Sequence, residues 1–309
     1  MTKAIAFPHY GGVDVLRPVD VELPAPGPGQ VRVAVRAAGV NPLDHKLRSG
    51  ALDGVFAVAF PFVPGYEVAG TVEAVGAGVT GFAPGDEVFG GTVGGGYAEH
   101  ALVDAAALVR KPASLGWAEA AALPVAAETS ERVLDVLGAR PGETLLVHGA
   151  AGGVGTLLLQ FARARGITVV GTASEANHDY LRELGAIPVA YGEGLAERVR
   201  AAAPGGVDRA VDAAGQGGVL PLSIELTGGA DRVVTIADAA GGHQYGVRFT
   251  GGGEGGESYH ARAFAAVLAL HEAGTLRLPL HRVLPLAEAA EAHRISEHGH
   301  LRGKIVLTV

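Results

Sequence analysis

Three glycines spaced three residues apart follow an apolar run near the middle of the chain. The strand-like segment 144–148 runs into Gly149-Ala150-Ala151-Gly152-Gly153-Val154-Gly155, and a helix-like segment, 156–165, comes next. In a strand–turn–helix unit, such glycines let backbone amides approach a pyrophosphate, which the helix N-terminus then stabilises. The pattern predicts that a dinucleotide pyrophosphate contacts Gly149, Gly152, Gly153, Val154 and Gly155. The alternative is an ordinary turn in a chain that contains 48 glycines.

The end of the next predicted strand, 167–170, bears on which dinucleotide is bound. An NAD site usually carries Asp or Glu there, about twenty residues past the glycines, to bond the ribose 2′-hydroxyl. Here the strand runs into Thr172 and Ser174, with Asn177 and His178 just beyond. These small donors favour a 2′-phosphate, and therefore NADPH, although the stretch itself contains no Arg or Lys.

Composition limits the class of protein. With 309 residues, 48% of them hydrophobic and 18% charged, the chain is long and apolar enough for two packed domains. The net charge of −8 argues against a nucleic-acid partner. The absence of cysteine excludes disulfides and thiolate metal sites and favours a cytoplasmic protein. We expect a soluble protein, since neither a signal peptide nor an apolar run of about 18 residues occurs.

The hydrophobic pattern changes character after the first third of the chain. Residues 31–36, 68–75 and 87–89 alternate or cluster as β-strands, with Pro and Gly between them. From about Trp117, helix-like stretches alternate with short apolar runs, which predicts a doubly wound parallel sheet. The predicted helices are 118–123, 130–137, 176–184, 194–203 and 219–226, and the strands between them are 188–190, 207–212, 232–236 and 247–249. After a glycine-rich stretch, 251–256, we predict one helix, 259–271, and a terminal strand, 304–309.

Six short stretches together resemble a known family over nearly the whole chain. They are Tyr10-Gly11-Gly12, Gly39–Asp44, Pro64–Gly70 with Val72 and Val75-Gly76, Gly85–Val88, the glycine turn, and Arg302-Gly303-Lys304. In order and spacing the chain resembles the zinc-free quinone oxidoreductase (zeta-crystallin-like) branch of the medium-chain dehydrogenase/reductase superfamily. The resemblance implies an α/β fold: a GroES-like β-rich catalytic domain at 1–117, a Rossmann NADPH-binding domain at 118–250, and a segment, 251–309, that returns to the catalytic domain. It also implies a homodimer, for which 247–250 is a candidate pairing edge.

The resemblance also implies a site without metal. In the zinc-dependent branch a Cys stands at the position of Asn41, a His at that of Tyr66, and a further ligand near Val125, and the residues present here cannot reproduce that ligand set. His148, His293, His298 and the other histidines are expected to be surface or core residues.

The expected absence of a metal bears on which reaction is plausible. Alcohol oxidation needs a Lewis acid or a strong base. Reduction of a quinone or a conjugated C=C bond needs less, because conjugation places the incoming charge on oxygen.

Three residues are the candidate catalytic groups that the resemblance implies. Asn41 would lie near the nicotinamide and the substrate carbonyl; alternatively, it is a loop residue that bonds its own backbone before Pro42. Lys46 is either a proton source or a solvated surface cation, with solvent as the other proton donor. Tyr66 either lines the substrate cavity or makes a local hydrogen bond.

The remaining candidates would contact the cofactor. Thr129 matches a threonine near the nicotinamide or is a helix N-cap; Tyr191 lies near the 2′-phosphate or is an edge aromatic; Lys304 reaches the cofactor or is a surface lysine. Strand ends are where this fold binds ligands, so backbone near the ribose and nicotinamide is expected at Ala213, Ala214, Gly215, Ile236 and Ala237. Asp212 is expected to be structural.

The leading hypothesis is an NADPH-dependent oxidoreductase that transfers hydride to quinones or α,β-unsaturated carbonyls, with a small-molecule substrate and no metal. An enoyl reductase acting on a carrier- or CoA-linked intermediate is the nearest alternative. A protein that binds NADPH without catalysis is the other, since a fold persists where its activity does not.

Overall fold

The computed structural model describes residues 1–251 and 259–309, so most of the glycine-rich stretch 251–256 lies outside the described residues. Contacts within the chain define two units. Unit 1 comprises 1–125 and 278–309, and unit 2 comprises 126–277. In the described residues no helix is both long and apolar enough to cross a membrane.

Unit 1 is built mainly of antiparallel strands. Its strands are β1 (Thr2–Ala6), β2 (Arg17–Val21), β3 (Gln30–Val40), β4 (Glu67–Val75), β5 (Glu87–Gly91), β6 (His100–Asp104), β7 (Leu108–Arg110), β14 (Leu280–Pro285) and β15 (Lys304–Thr308). Its helices are α1 (Pro42–Ser49), α2 (Trp117–Ala121) and α10 (Ala289–His298).

The largest sheet of unit 1 has the order β14-β15-β3-β4-β5-β7, and β6 also pairs with β3. Strands β1 and β2 form a separate antiparallel pair. The last strand of the chain, β15, lies antiparallel to β3, with Ile305 opposite Val40. This pairing brings residues more than 260 positions apart in sequence to the same end of β3, where α1 begins.

Unit 2 is a doubly wound parallel sheet, as the alternation of helices and strands predicts. Its strand order is β10-β9-β8-β11-β12-β13, and every pairing is parallel. The strands are β8 (Thr144–His148), β9 (Thr168–Ala173), β10 (Ile187–Ala190), β11 (Arg209–Asp212), β12 (Val233–Thr235) and β13 (Arg248–Phe249). The helices are α3 (Pro124–Val136, which starts two residues before the unit), α4 (Gly153–Ala164), α5 (His178–Glu183), α6 (Leu195–Ala202), α7 (Val219–Thr227), α8 (Ala239–Tyr245) and α9 (His260–Glu272).

Four helices differ from the sequence-based prediction, which gave α3 a later start and did not include α1, α8 or α10. Helix α3 begins at Pro124, six residues before the predicted start, because proline is well suited to the first turn. Helix α1 was not predicted, although Asn41 at the N-cap followed by Pro42 and Asp44 is a helix-start signal. Helix α10 was missed as well, and its polar composition hid a face whose buried members include Ala292 and His293.

Candidate functional site

The three glycines of the turn after β8 have three different structural roles. Gly149 adopts a left-handed conformation, with φ of 75°. A Cβ at Gly155 would lie 2.4 Å from the Gly149 carbonyl oxygen, so only glycine lets α4 pack this closely against the turn. Gly152 has an ordinary φ of −70°, and a Cβ there would meet only the Gly149 oxygen, at 3.4 Å. Its open side therefore leaves room for a ligand to contact the backbone.

Helix α4 starts directly from this turn. The first amide to bond back along the helix is that of Thr156, which donates to the Gly152 carbonyl at 2.9 Å. The amides before it, of Gly153, Val154 and Gly155, precede the first intrahelical bond and belong to the set that a helix leaves for other acceptors. Together with the helix dipole they form a site suited to an anion.

A cavity of about 280 Å³ lies beside the turn, at the carboxyl ends of the strands. It is lined by His148, Thr172, Tyr191, Gly192, Ala214 and Val219, among others. Two of the predicted 2′-phosphate residues, Thr172 and Tyr191, are therefore brought to one cavity. Thr172 is only 3% exposed, and its hydroxyl lies 3.4 Å from the His148 ring.

The other predicted 2′-phosphate residues follow β9. Ala173 pairs with Ala190 in the parallel register, so the next residues, Ser174 and Tyr191, leave the sheet side by side. The Asn177 amide donates to the Ser174 hydroxyl at 3.0 Å. His178 opens α5, and its Nε2 is buried with no hydrogen-bond partner among the described residues.

The strand-end backbone after β11 and β12 is held by Asp212, which is fully buried. Its carboxylate accepts hydrogen bonds from the amides of Ala214 and Gly215, both at 2.9 Å, and from the Thr235 hydroxyl at 2.8 Å. The Ile236 amide donates to the Asp212 carbonyl. Asp212 therefore holds the backbone at these strand ends, as a structural residue would, and these amides are already used within the protein.

The end of β12 is also held internally, because the Ala237 amide donates to the Thr235 hydroxyl at 3.1 Å. Ala213 precedes the Asp212-bonded amides and donates its own amide to the His148 carbonyl at 3.1 Å. A ligand at these strand ends would meet carbonyl groups and van der Waals surface.

Thr129 lies within α3, five residues past its start, so the N-cap interpretation is wrong. The Thr129 hydroxyl accepts a bond from Arg132 at 3.2 Å. Arg132 is 4% exposed and also donates to the Glu128 carboxylate and the Thr250 carbonyl, both at 2.9 Å. Because the Ser130 hydroxyl donates to the Val154 carbonyl, α3 packs at the start of α4. The sequence did not identify Arg132 as a site residue, because one of its partners, Thr250, lies 118 positions away.

Two of the candidate residues of unit 1, Asn41 and Lys304, meet in a buried ionic cluster around Glu67, a carboxylate that is fully buried. Lys304 donates to Glu67 Oε1 at 2.6 Å, to the Asn41 Oδ1, and to the Val40 carbonyl at 3.2 Å. The side-chain amide of Asn41 donates to the same Oε1 at 2.8 Å, and the backbone amide of Val125 donates to Oε2, also at 2.8 Å. Lys304 is 5% exposed, so the surface-lysine interpretation is wrong.

The cluster fixes the orientation of the Asn41 side chain. Lys304 has only donors, so it holds the Asn41 oxygen, and Glu67 accepts from the nitrogen. The Asn41 side chain is therefore bonded to residues distant in sequence and not only to the local backbone at the start of α1. Glu67 was not identified from the sequence, although it belongs to the quoted Pro64–Gly70 stretch.

Asp44 connects α1 to the same region. One of its carboxylate oxygens accepts bonds from the backbone amide of Asn41 at 2.8 Å and from the Tyr97 hydroxyl at 3.0 Å. The other oxygen accepts from the backbone amide of Gly65. Burial raises the pKa of Asp44 to about 6, against the opposing effect of these hydrogen bonds. Burial, and then the charge of Asp44, raises the pKa of Tyr66 to about 12, so this half-buried phenol stays protonated at neutral pH. Lys46 is also half-buried, in α1.

The two buried histidines have different surroundings. The His148 ring bonds Ser223 at 3.1 Å, and burial lowers its pKa to about 4. His293 is fully buried against Tyr97 in an edge contact, and neither ring nitrogen has a partner among the described residues. Within residues 1–251 and 259–309, no three His, Cys, Asp or Glu side chains are grouped so as to hold a metal ion.

Comparison with known proteins agrees with this architecture. Residues 27–113 match the alcohol dehydrogenase GroES-like domain, and residues 184–307 match the zinc-binding dehydrogenase domain. A quinone oxidoreductase from Rattus norvegicus is 44% identical over 176 residues, which cover 56% of this chain and 53% of the rat protein. The chain thus spans about half the length of the curated relatives it matches.

Solved structures match over the full length. A quinone oxidoreductase from Pseudomonas syringae pv. Tomato DC3000 has a TM-score of 0.84 at 31% identity and 100% coverage of both chains. The mycobacterial protein Rv1454c, complexed with NADPH, has a TM-score of 0.83 at 28% identity, again with full coverage of both. The chain belongs to the medium-chain dehydrogenase/reductase superfamily, in its zeta-crystallin-like quinone oxidoreductase branch, and unit 2 has a pyridine-nucleotide-binding fold.

Proposed function

We propose that this protein is an NADPH-dependent oxidoreductase that transfers hydride to quinones or α,β-unsaturated carbonyls without a metal ion. The observation that carries the proposal is the turn at the start of α4, where Gly152 leaves the backbone open beside three amides that the helix does not use. A dinucleotide pyrophosphate matches this arrangement in charge and shape.

The residues present fit a phosphorylated pyridine nucleotide. The amides of Gly153, Val154 and Gly155 would hold the pyrophosphate. The cavity lined by Thr172, Tyr191 and Ala214 would take the adenosine end, and Ser174, Asn177 and His178 would surround its 2′-phosphate. The strand-end segments 213–215 and 236–237, with Thr129 on α3, would contact the ribose and nicotinamide. When bound, the nucleotide supplies the hydride.

The chemistry of unit 1 favours a conjugated acceptor. In this chain, Asn41 and Tyr66 stand at the positions that hold Cys and His in the zinc-dependent branch. The ammonium group of Lys304 is bonded to Asn41. An amide held in this way offers a remaining N–H to an oxygen on which negative charge develops. A quinone or enone needs no stronger electrophile, because conjugation delocalises the charge. Tyr66 would line the acceptor site as a neutral phenol, and Lys46 or solvent would supply the proton.

The test is a substrate panel followed as NADPH oxidation by absorbance at 340 nm. We expect turnover with 1,4-benzoquinone, 9,10-phenanthrenequinone and simple enones, unchanged after treatment with a chelator. Turnover only with enoyl-CoA or carrier-linked substrates would establish the enoyl reductase alternative instead. Tight NADPH binding with no turnover across the panel would favour the non-catalytic alternative, and a metal-dependent rate would overturn the metal-free mechanism.

A further inference from the structure

The loop after β10 surrounds one guanidinium group. Arg198, in α6, donates from Nε to the Ala190 carbonyl at 3.0 Å and from Nη1 to the Glu193 carbonyl at 2.8 Å. Its Nη2 lies 3.4 Å from the carbonyl oxygens of both Tyr191 and Gly192. The carbonyls of four consecutive residues thus contact a single side chain. All of these acceptors are neutral, so they fix the guanidinium without cancelling its charge.

The charge of Arg198 is not neutralised by an ion pair. Within the described ranges, 1–251 and 259–309, no carboxylate oxygen lies within 4.0 Å of its guanidinium, whereas Arg200, in the same helix, pairs with Glu225. Glu193 and Glu197 are the acidic neighbours in sequence. Arg198 is half-buried, so solvent screens its field less than that of a fully exposed arginine.

Arg198 is anchored where two strand ends meet. Because Ala190 pairs with Ala173, the Tyr191 loop lies next to Ser174, one strand spacing away. Tyr191 and Gly192 also line the 280 Å³ cavity, together with Thr172 of the neighbouring strand. The guanidinium therefore lies at the edge of the sheet that holds the residues predicted for the 2′-phosphate.

We propose that Arg198 determines the preference for NADPH over NADH by supplying the positive charge that the 171–178 stretch lacks. This inference rests on the proposed function, since it concerns the dinucleotide bound by unit 2. A phosphate monoester carries about −1.5 to −2 charges at neutral pH, and NADH has no such group at this ribose. A fixed cation on the adjoining loop stabilises the phosphorylated form and leaves the other almost unaffected.

The experiment compares two probes that differ only in the 2′-phosphate. Binding of adenosine 2′,5′-bisphosphate and of 5′-AMP is measured by isothermal titration calorimetry for the wild type, R198Q, R198K and R200Q. We expect R198Q to weaken the bisphosphate about tenfold and to change 5′-AMP by less than about twofold. R198K keeps the charge without the planar fork and retains most of the preference. R200Q, the matched control in the same helix, retains all of it.

Two further measurements sharpen the result. The difference between wild type and R198Q decreases in 0.5 M NaCl, because it is electrostatic. E197Q removes a neighbouring carboxylate and strengthens binding of the bisphosphate. An equal loss of both probes in R198Q would mean that Arg198 only shapes the loop, and an unchanged preference would mean that it has no role. Either result overturns the inference about Arg198 and leaves the proposal that the protein binds NADPH unaffected. A wild type that does not distinguish the two probes would refute the NADPH assignment itself, and the role of Arg198 with it.

Discussion

The two units present their functional groups in opposite ways. Unit 2 offers backbone amides at the start of α4, which are neutral dipoles and need no counter-charge. Unit 1 offers side chains, and its centre is an ion pair between Glu67 and Lys304 that is removed from solvent. A buried ion is tolerated only with its partner. We therefore expect nucleotide binding by unit 2 to be sensitive to added side-chain atoms at the turn. The stability of unit 1 should be sensitive to the loss of one of these two charges.

The largest expected effect is that of Gly152→Val. The φ of −70° suits any residue, and a Cβ meets only one atom at 3.4 Å, so the fold should survive. The added side chain would occupy the space proposed for the pyrophosphate. We expect NADPH affinity, measured by fluorescence titration, to fall more than about 100-fold, since loss of even a few kcal/mol has this effect.

The matched control is Gly205→Val, because a Cβ at Gly205 would meet nothing within 4 Å. We expect it to bind NADPH as the wild type does. If the Gly152 variant also binds normally, the pyrophosphate does not lie at this turn.

The second prediction concerns the ion pair of unit 1. Lys304→Met leaves Glu67 buried without its cation, which should lower the free energy of unfolding by about 3–5 kcal/mol. The double variant K304M/E67Q should recover much of this loss, because the second change removes the unpaired charge. Urea denaturation measures both.

Arg294→Met is the control for this loss, since Arg294 pairs with Glu291 at the surface, where both side chains are about half exposed. Such pairs contribute about 0–1 kcal/mol. A Lys304 variant no less stable than the Arg294 variant would contradict the description of the cluster.

The contrast between the units explains what could be predicted from the sequence. The glycine turn is local: spacing over seven residues is enough to locate it, and the parallel sheet follows from alternation. Lys304 and Asn41 are 263 positions apart, and the pairing of β15 with β3 brings them together. No local pattern encodes that pairing. The resemblance suggested Lys304 as a candidate, but the sequence could not identify Glu67 as its partner. Arg132 was missed for the same reason.

A third prediction, of smaller effect, tests the edge of the sheet in unit 2. Ser174→Asp places a carboxylate where the 2′-phosphate is proposed, so the ratio of NADPH to NADH affinity should fall about tenfold. Thr168→Asp adds the same charge at the exposed, opposite end of the same strand and should leave the ratio unchanged. Equal ratios in the two variants would remove Ser174 from the phosphate pocket.

The smallest effect is a pH dependence of stability in unit 1. Burial, together with the charges of Arg48 and His45, lowers the pKa of His293 to about 3, from an ordinary value of 6.5. Below pH 6.5 the unfolded chain takes up a proton that the folded chain does not, so stability falls as the pH falls. This one group should cost about 1.4 kcal/mol at pH 5.5 relative to pH 8.

His293→Phe keeps an aromatic ring against Tyr97 and removes this contribution, so its unfolding free energy should fall less between pH 8 and pH 5.5. Burial raises the pKa of Asp44, which acts in the opposite direction, and lowers that of His148, which acts in the same direction. Both are common to the two proteins and cancel in the comparison. His298→Phe, at an exposed position of the same helix, is the control for replacing a histidine of this helix by phenylalanine. Equal slopes in H293F and the wild type would contradict the prediction.

The central claim is that electrons pass from a nucleotide held by main-chain amides to a conjugated acceptor without the help of an ion. The most direct measurement is the rate of NADPH-dependent reduction of 9,10-phenanthrenequinone by protein dialysed against a chelator, with its metal content measured by mass spectrometry. We predict a full rate at a metal content far below one ion per chain. A rate that disappears with the metal and returns when zinc is added would contradict the account.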